Sequence, residues 1–74
     1  MLQMGLIGYG LWGRHHANAI VKASGAELAA IACDSDATAA AAHEDFPDVK
    51  IHRGYRSLLD DETIQAVDIV RKFY

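Results

Sequence analysis

Three glycines and one aspartate carry the chemistry that this sequence offers. Gly8, Gly10 and Gly13 stand in the spacing G-x-G-x-x-G, directly after the apolar pair Leu6-Ile7. Each glycine has its own task in a turn from strand to helix. Gly8 permits a tight bend, Gly10 lets a pyrophosphate approach the backbone where a Cβ would stand, and Gly13 lets the helix lie close to the strand. Between them, Leu11 and Trp12 offer backbone N–H groups at the helix start. Free amides and the positive end of the helix dipole favour an anion there. The glycine spacing by itself also arises for packing reasons.

Asp34 adds a second signal. It ends an apolar run, at about the 20-residue remove where a carboxylate can hold the hydroxyls of an adenosine ribose. The competing reading is a turn or helix-capping aspartate. As a ribose ligand, Asp34 also selects the cofactor. A carboxylate about 4 Å from a 2′-phosphate repels it by roughly 1 kcal/mol per charge pair in water and roughly 4 kcal/mol at an effective dielectric of 20. No arginine directly follows Asp34 to offset this. The residues therefore predict NAD ahead of NADP.

Other polar groups offer less. Trp12 either shields the pyrophosphate or packs against the next layer. His15 and His16 are neighbours, so on a helix they point about 100° apart and do not share a metal in the usual way. No His or Cys pair has zinc spacing. His16, near a helix start, reads as a structural hydrogen-bonding residue. Asp60-Asp61-Glu62 reads as a solvent-facing complement to a helix N-terminus. No nucleophile elbow and no phosphate loop of the ATPase type is present. No residue is assigned a catalytic role and none a metal.

The elements that position these groups follow from the hydrophobic pattern. Gln3–Ile7 is apolar on both faces except at Gln3, as a central parallel strand is. A helix is predicted over about 11–24, with Gly13, Ala17, Ile20, Val21 and Ser24 on its sheet face and Gly25 as its stop. Glu27–Cys33 is the second strand. Ser35 or Asp36 caps an alanine-rich helix over about 37–45. Val49–His52 is a third strand, and Ser57-Leu58-Leu59-Asp60 is a weak capping box opening a short helix. Ala66–Val70 is the fourth strand. Strands alternating with helices predict an α/β fold, βαβαβαβ, with a parallel sheet in the order 3-2-1-4. This is a Rossmann-like dinucleotide-binding fold, incomplete, with its switch point beside Gly8–Gly13.

Bulk properties narrow the partners. The 74 residues suffice for one domain, and 51% hydrophobic residues make it globular. A net charge of −3 without a basic stripe argues against nucleic acid. No apolar run approaches a membrane span and no leader is evident. The one cysteine, Cys33, lies in an apolar run. It reads as a buried side chain in a reducing, cytoplasmic setting.

Taken together, Gly8-Tyr9-Gly10-Leu11-Trp12-Gly13-Arg14-His15-His16-Ala17 resembles the opening of the glucose–fructose oxidoreductase / inositol dehydrogenase / rhizopine-catabolism family, which reads G-x-G-x-x-G-x-x-H-A. The likeness extends through Glu27–Asp34, Tyr55–Leu59 and Ile64–Val70, and so from Met4 to Val70. It implies a nicotinamide-dependent oxidoreductase acting on a sugar, polyol or related hydroxyl compound, expected as a homo-oligomer. By motif match Gly8, Gly10, Leu11, Trp12 and Gly13 shape the pyrophosphate site and Asp34 binds ribose. After the fourth strand the family continues with a Pro-Asn segment and a His, whereas Arg71-Lys72-Phe73-Tyr74 stands here. The family's later Glu-Lys-Pro motif and its substrate domain are not in this sequence. Residues 1–74 are thus expected to be the N-terminal portion of a dinucleotide-binding domain, inactive alone. The alternative is a non-catalytic dinucleotide-binding or self-associating module, drawn together by Val67, Ile69 and Val70 at a sheet edge.

Overall fold

A computed structural model of the chain describes residues 1–70. The tail Arg71–Tyr74 lies outside the described residues. The first apolar run forms β1 (Leu2–Ile7), and α1 (Leu11–Lys22) follows the glycine turn. The chain continues through β2 (Ala26–Cys33), α2 (Asp36–Asp45), β3 (Lys50–Arg53), α3 (Tyr55–Leu59) and β4 (Ala66–Ile69). The strands form one parallel sheet in the order β3-β2-β1-β4. This is the predicted topology. β1 and β2, the two central strands, are the most apolar, because a strand covered on both faces has no place for charge.

Both faces of the sheet are packed, unequally. On one face Leu6, Leu28, Ile31 and Cys33 meet Ala17 and Ile20 of α1 and Ala42 of α2. On the other, Ala30 and Ala32 meet Leu58 of α3, with Ile7 and Ile64 beside it. A register shift between Met4 and Gly5 leaves Ala29 without a partner on β1. That extra residue lets Leu28 and Ile31 point to the same face, which plain alternation forbids.

Local chemistry sets the helix ends. Ser35 caps α2: its hydroxyl accepts from the Thr38 amide at 3.1 Å, and the Ser35 amide in turn donates to Thr38 Oγ1 at 3.3 Å. α1 ends at Lys22, and Gly25 turns the chain with φ of 84°.

Three local expectations need correction. α3 begins at Tyr55, not Ser57, because Gly54 turns the chain at the end of β3 with φ of 92°. Its amide donates to the Cys33 carbonyl at 2.8 Å. Burying Leu58 completely on the sheet then fixes the helix position. Ser57 is consequently mid-helix and caps nothing. Asp60-Asp61-Glu62 follow the C-terminus of α3 rather than its start, and Asp61 turns inward. Its carboxylate accepts from the Thr63 hydroxyl at 2.6 Å and from Lys50 Nζ at 2.9 Å, and His52 Nε2 lies 3.1 Å away. The Thr63 hydroxyl and Lys50 hold this carboxyl well below the usual carboxylate range. Finally, Val21 is 55% exposed, so the sheet face of α1 is Gly13, Ala17 and Ile20 alone.

Tyr9 ties the two helices of the thicker face together. Its ring is buried edge-on against Phe46, with centroids 6.3 Å apart. Its hydroxyl donates to Asp45 Oδ2 at 2.5 Å, and Arg14 Nε lies 3.3 Å from the same oxygen. Burial first, and the bond to Asp45 second, push the phenol up to about 12 from 10.0. A raised folded-state value means stability that is complete below the unfolded value and lost as pH rises through the folded one. Stability should therefore fall between pH 10 and about 12. Denaturant midpoints measured across that window check this, and Tyr9→Phe should flatten the decline.

Candidate functional site

The end of β1 and the start of α1 meet at the carboxyl edge of the sheet, where ligands of open parallel sheets bind. Gly8 leaves the strand with φ of 100°, a region that side chains other than glycine rarely adopt. Its amide donates to the Ala32 carbonyl at 3.0 Å. A Cβ on Gly8 would strike the Val70 carbonyl oxygen, and one on Gly13 would strike the carbonyl oxygen of Gly8. These two glycines are therefore required by packing alone.

Gly10 differs. A Cβ placed there would meet nothing within 4 Å. Its backbone, at φ −108°, is open to any residue. As N-cap of α1 it supplies no side-chain hydrogen bond, and no acidic residue stands in the first turn. The helix start thus presents free amides beside an empty approach, the donor set that a phosphate group needs. Leu11 and Trp12 are 70% and 68% exposed at this start. The Trp12 ring leans on His15 of the same helix, with centroids 5.7 Å apart.

A cleft of about 340 Å³ opens beside the turn. Gly8 and Val70 form one wall, Cys33 and Asp34 another, and Gly54 and Tyr55 the third. The structure thus brings Gly8 and Asp34 to one cavity, with Asp34 exposed at its rim. Gly10, Leu11, Trp12 and Gly13 are not among the lining residues; they sit at the adjoining helix start. The Cys33 thiol is buried, and desolvation pushes it up.

Sequence reasoning missed two features of this corner. Tyr55, 54% exposed, faces the cleft because the turn at Gly54 starts α3 early. The glycine directly after a short strand was the available signal. The second is Arg53. No arginine stands directly after Asp34, yet the parallel pairing of β2 with β3 sets Arg53 beside Cys33. Its guanidinium donates to the Asp34 carbonyl at 3.3 Å and pairs with the Asp36 carboxylate. A contact between strands leaves no local trace in sequence.

His16 lies outside the cleft. Its Nδ1 is 2.7 Å from Asp68 Oδ2, which links α1 to β4 and fits the structural role expected of it. Among the described residues no group of His, Cys, Asp and Glu is placed to hold a metal ion, and no helix is long and apolar enough to cross a membrane.

The model of the oxidoreductase family with an NAD-binding Rossmann fold (GFO_IDH_MocA) matches residues 2–72. No curated protein matches the chain. Among solved structures, myo-inositol dehydrogenase from Lactobacillus casei, in complex with NAD(H) and myo-inositol, is 35% identical with a TM-score of 0.85. The match covers 95% of this chain and 21% of that one. Myo-inositol 2-dehydrogenase from Lactobacillus plantarum is 28% identical with a TM-score of 0.83, over 96% of this chain and 21% of its own. A probable dehydrogenase from Thermotoga maritima is 25% identical with a TM-score of 0.87, again over 96% and 21%. The chain therefore spans about a fifth of the length of these structures.

The glycines make a clean contrast. Gly13→Ala should destabilise the fold by about 1–3 kcal/mol, the usual cost of forcing atoms into a filled space. Gly10→Ala should change stability by less than about 1 kcal/mol, since only a cap preference is altered. Urea titrations of the two variants check this, and equal losses would contradict the distinction.

Proposed function

The chain belongs to the Gfo/Idh/MocA oxidoreductase family, and from that membership we propose that residues 1–74 form the dinucleotide-binding part of an NAD-dependent dehydrogenase acting on a sugar, polyol or related hydroxyl compound. One observation carries the site: an uncapped helix start, with open space at Gly10, adjoins a cleft that Asp34 borders. In this reading Gly8, Gly10, Leu11, Trp12 and Gly13 shape and contact the pyrophosphate. Backbone amides are the donors and the helix dipole supports the charge. Asp34 accepts from the ribose hydroxyls. Bound NAD supplies the acceptor or donor of a hydride.

The substrate class rests on the neighbours. Two of them are named as inositol dehydrogenases, and one is described with NAD(H) and myo-inositol. Inositol is a polyol. We assign no catalytic residue to this stretch and place substrate choice and acid–base chemistry in a longer parent, working in the cytoplasm as a homo-oligomer. The lone, buried Cys33 suits a reducing compartment.

Asp34 also sets the choice of cofactor. Its carboxylate repels a 2′-phosphate, so NAD is preferred to NADP. Calorimetric titration of the chain with each dinucleotide should give tighter binding of NAD. Asp34→Asn should narrow the ratio of dissociation constants by about fivefold or more, the equivalent of roughly 1 kcal/mol. An unchanged ratio would remove Asp34 from the site.

One observation favours the second reading, a self-associating module. Val67 and Ile69 of β4 are 38% and 57% exposed on one face of the sheet. Sedimentation at increasing concentration separates the two: a monomer throughout counts against self-association, and dimers that form without dinucleotide count for it.

A further inference from the structure

The charged corner at the rim of the cleft holds more than Asp34. We propose that Arg53 is a specificity-determining residue, a cation held in reserve that limits how strongly a 2′-phosphorylated dinucleotide is rejected. The inference rests on the dinucleotide reading of the cleft and concerns one end of it.

Position comes first. β3 pairs with β2 so that Arg53 stands opposite Cys33, the residue before Asp34. The Gly54 amide bonds to the Cys33 carbonyl at 2.8 Å, so the backbone that carries Arg53 is pinned to the backbone that carries Asp34. Arg53 is not among the residues lining the cleft, but its guanidinium reaches the backbone of Asp34, which is.

Its present partners hold it weakly. One nitrogen reaches the Asp34 carbonyl at 3.3 Å, a long bond for a charged donor. The other pairs with Asp36, whose side chain is 97% exposed, while that of Arg53 is 49% exposed. Exposed pairs of this kind contribute little and exchange freely with water. A phosphate is the better partner, since a planar guanidinium bonds two of its oxygens at once. Asp34 opposes a 2′-phosphate and Arg53 favours it, from adjoining strand ends. Asp36 decides how free Arg53 is to respond.

The test is titration of the chain and three variants with NAD and with NADP, reading the ratio of dissociation constants. Arg53→Ala should weaken NADP by about fivefold while leaving NAD within about twofold, as for loss of one partly exposed ion pair. Arg53→Lys should fall between, because an ammonium cannot make the paired bond. Asp36→Ala should shift the ratio the other way, toward NADP. Amide NMR spectra of each variant establish that it is folded. If NAD binds but the ratio stays constant across folded Arg53 and Asp36 variants, the role of Arg53 is overturned and the dinucleotide reading stands. If the unsubstituted chain binds neither dinucleotide, the cleft reading falls and this inference with it.

Discussion

The fold hangs on a close fit between the first turn of α1 and the residue that leaves β1. The α-carbon of Gly13 rests against the carbonyl of Gly8, with no room for another atom. That contact sets the angle at which α1 leaves β1. The angle decides which residues of α1 meet the sheet, and the answer is Gly13, Ala17 and Ile20, whose side chains grow with distance from the contact. The same contact aims the helix start along the sheet edge, so a constraint of packing becomes a constraint on where free amides point. Sterics and electrostatics are satisfied by one glycine pair, while Gly10 between them is left free of any packing duty.

Most of the fold was legible because its signals are local. Apolar runs of strand length, separated by helical spacing and turn residues, gave the element order and the sheet order. The Ser35 cap could be read because capping depends on a residue and its neighbours three positions on. The errors have a common physical form. α3 was displaced because Ser57 looks like a cap in sequence, while burial of Leu58 against Ala30 and Ala32 decides the register. Asp61 reads as a surface acid because Lys50 and His52 reach it from β3, although Thr63, its other partner, is local. Val21 looked like a core residue because it is apolar, but it lies just off the stripe that the glycine contact selects.

The candidate site divides in the same way. Gly8 and Asp34 could be placed in one cavity from strand order alone. Arg53 could not, because its approach to Asp34 depends on the pairing register of β2 and β3. Tyr55 entered the cleft wall only once the turn at Gly54 was known. Charges that meet across strands belong to the tertiary structure, and they modify a site whose backbone is already written in its glycines.

The sheet order carries a cost in folding time. β1 and β2 join across 24 residues, as the bond from Gln3 to Glu27 marks, whereas β1 and β4 join across 62, as Gln3 and Gln65 mark. Closing the longer loop costs about 1 kcal/mol more in chain entropy. Pairings of high sequence separation are the slow ones. Yet β4 brings Val70 against Gly8, with the Val70 amide bonded to Ile7 at 2.9 Å. On a ribosome the glycine turn leaves the exit tunnel well before Val70, which walls its cleft. The site thus begins with one segment and is finished only when a segment 62 residues later reaches the sheet.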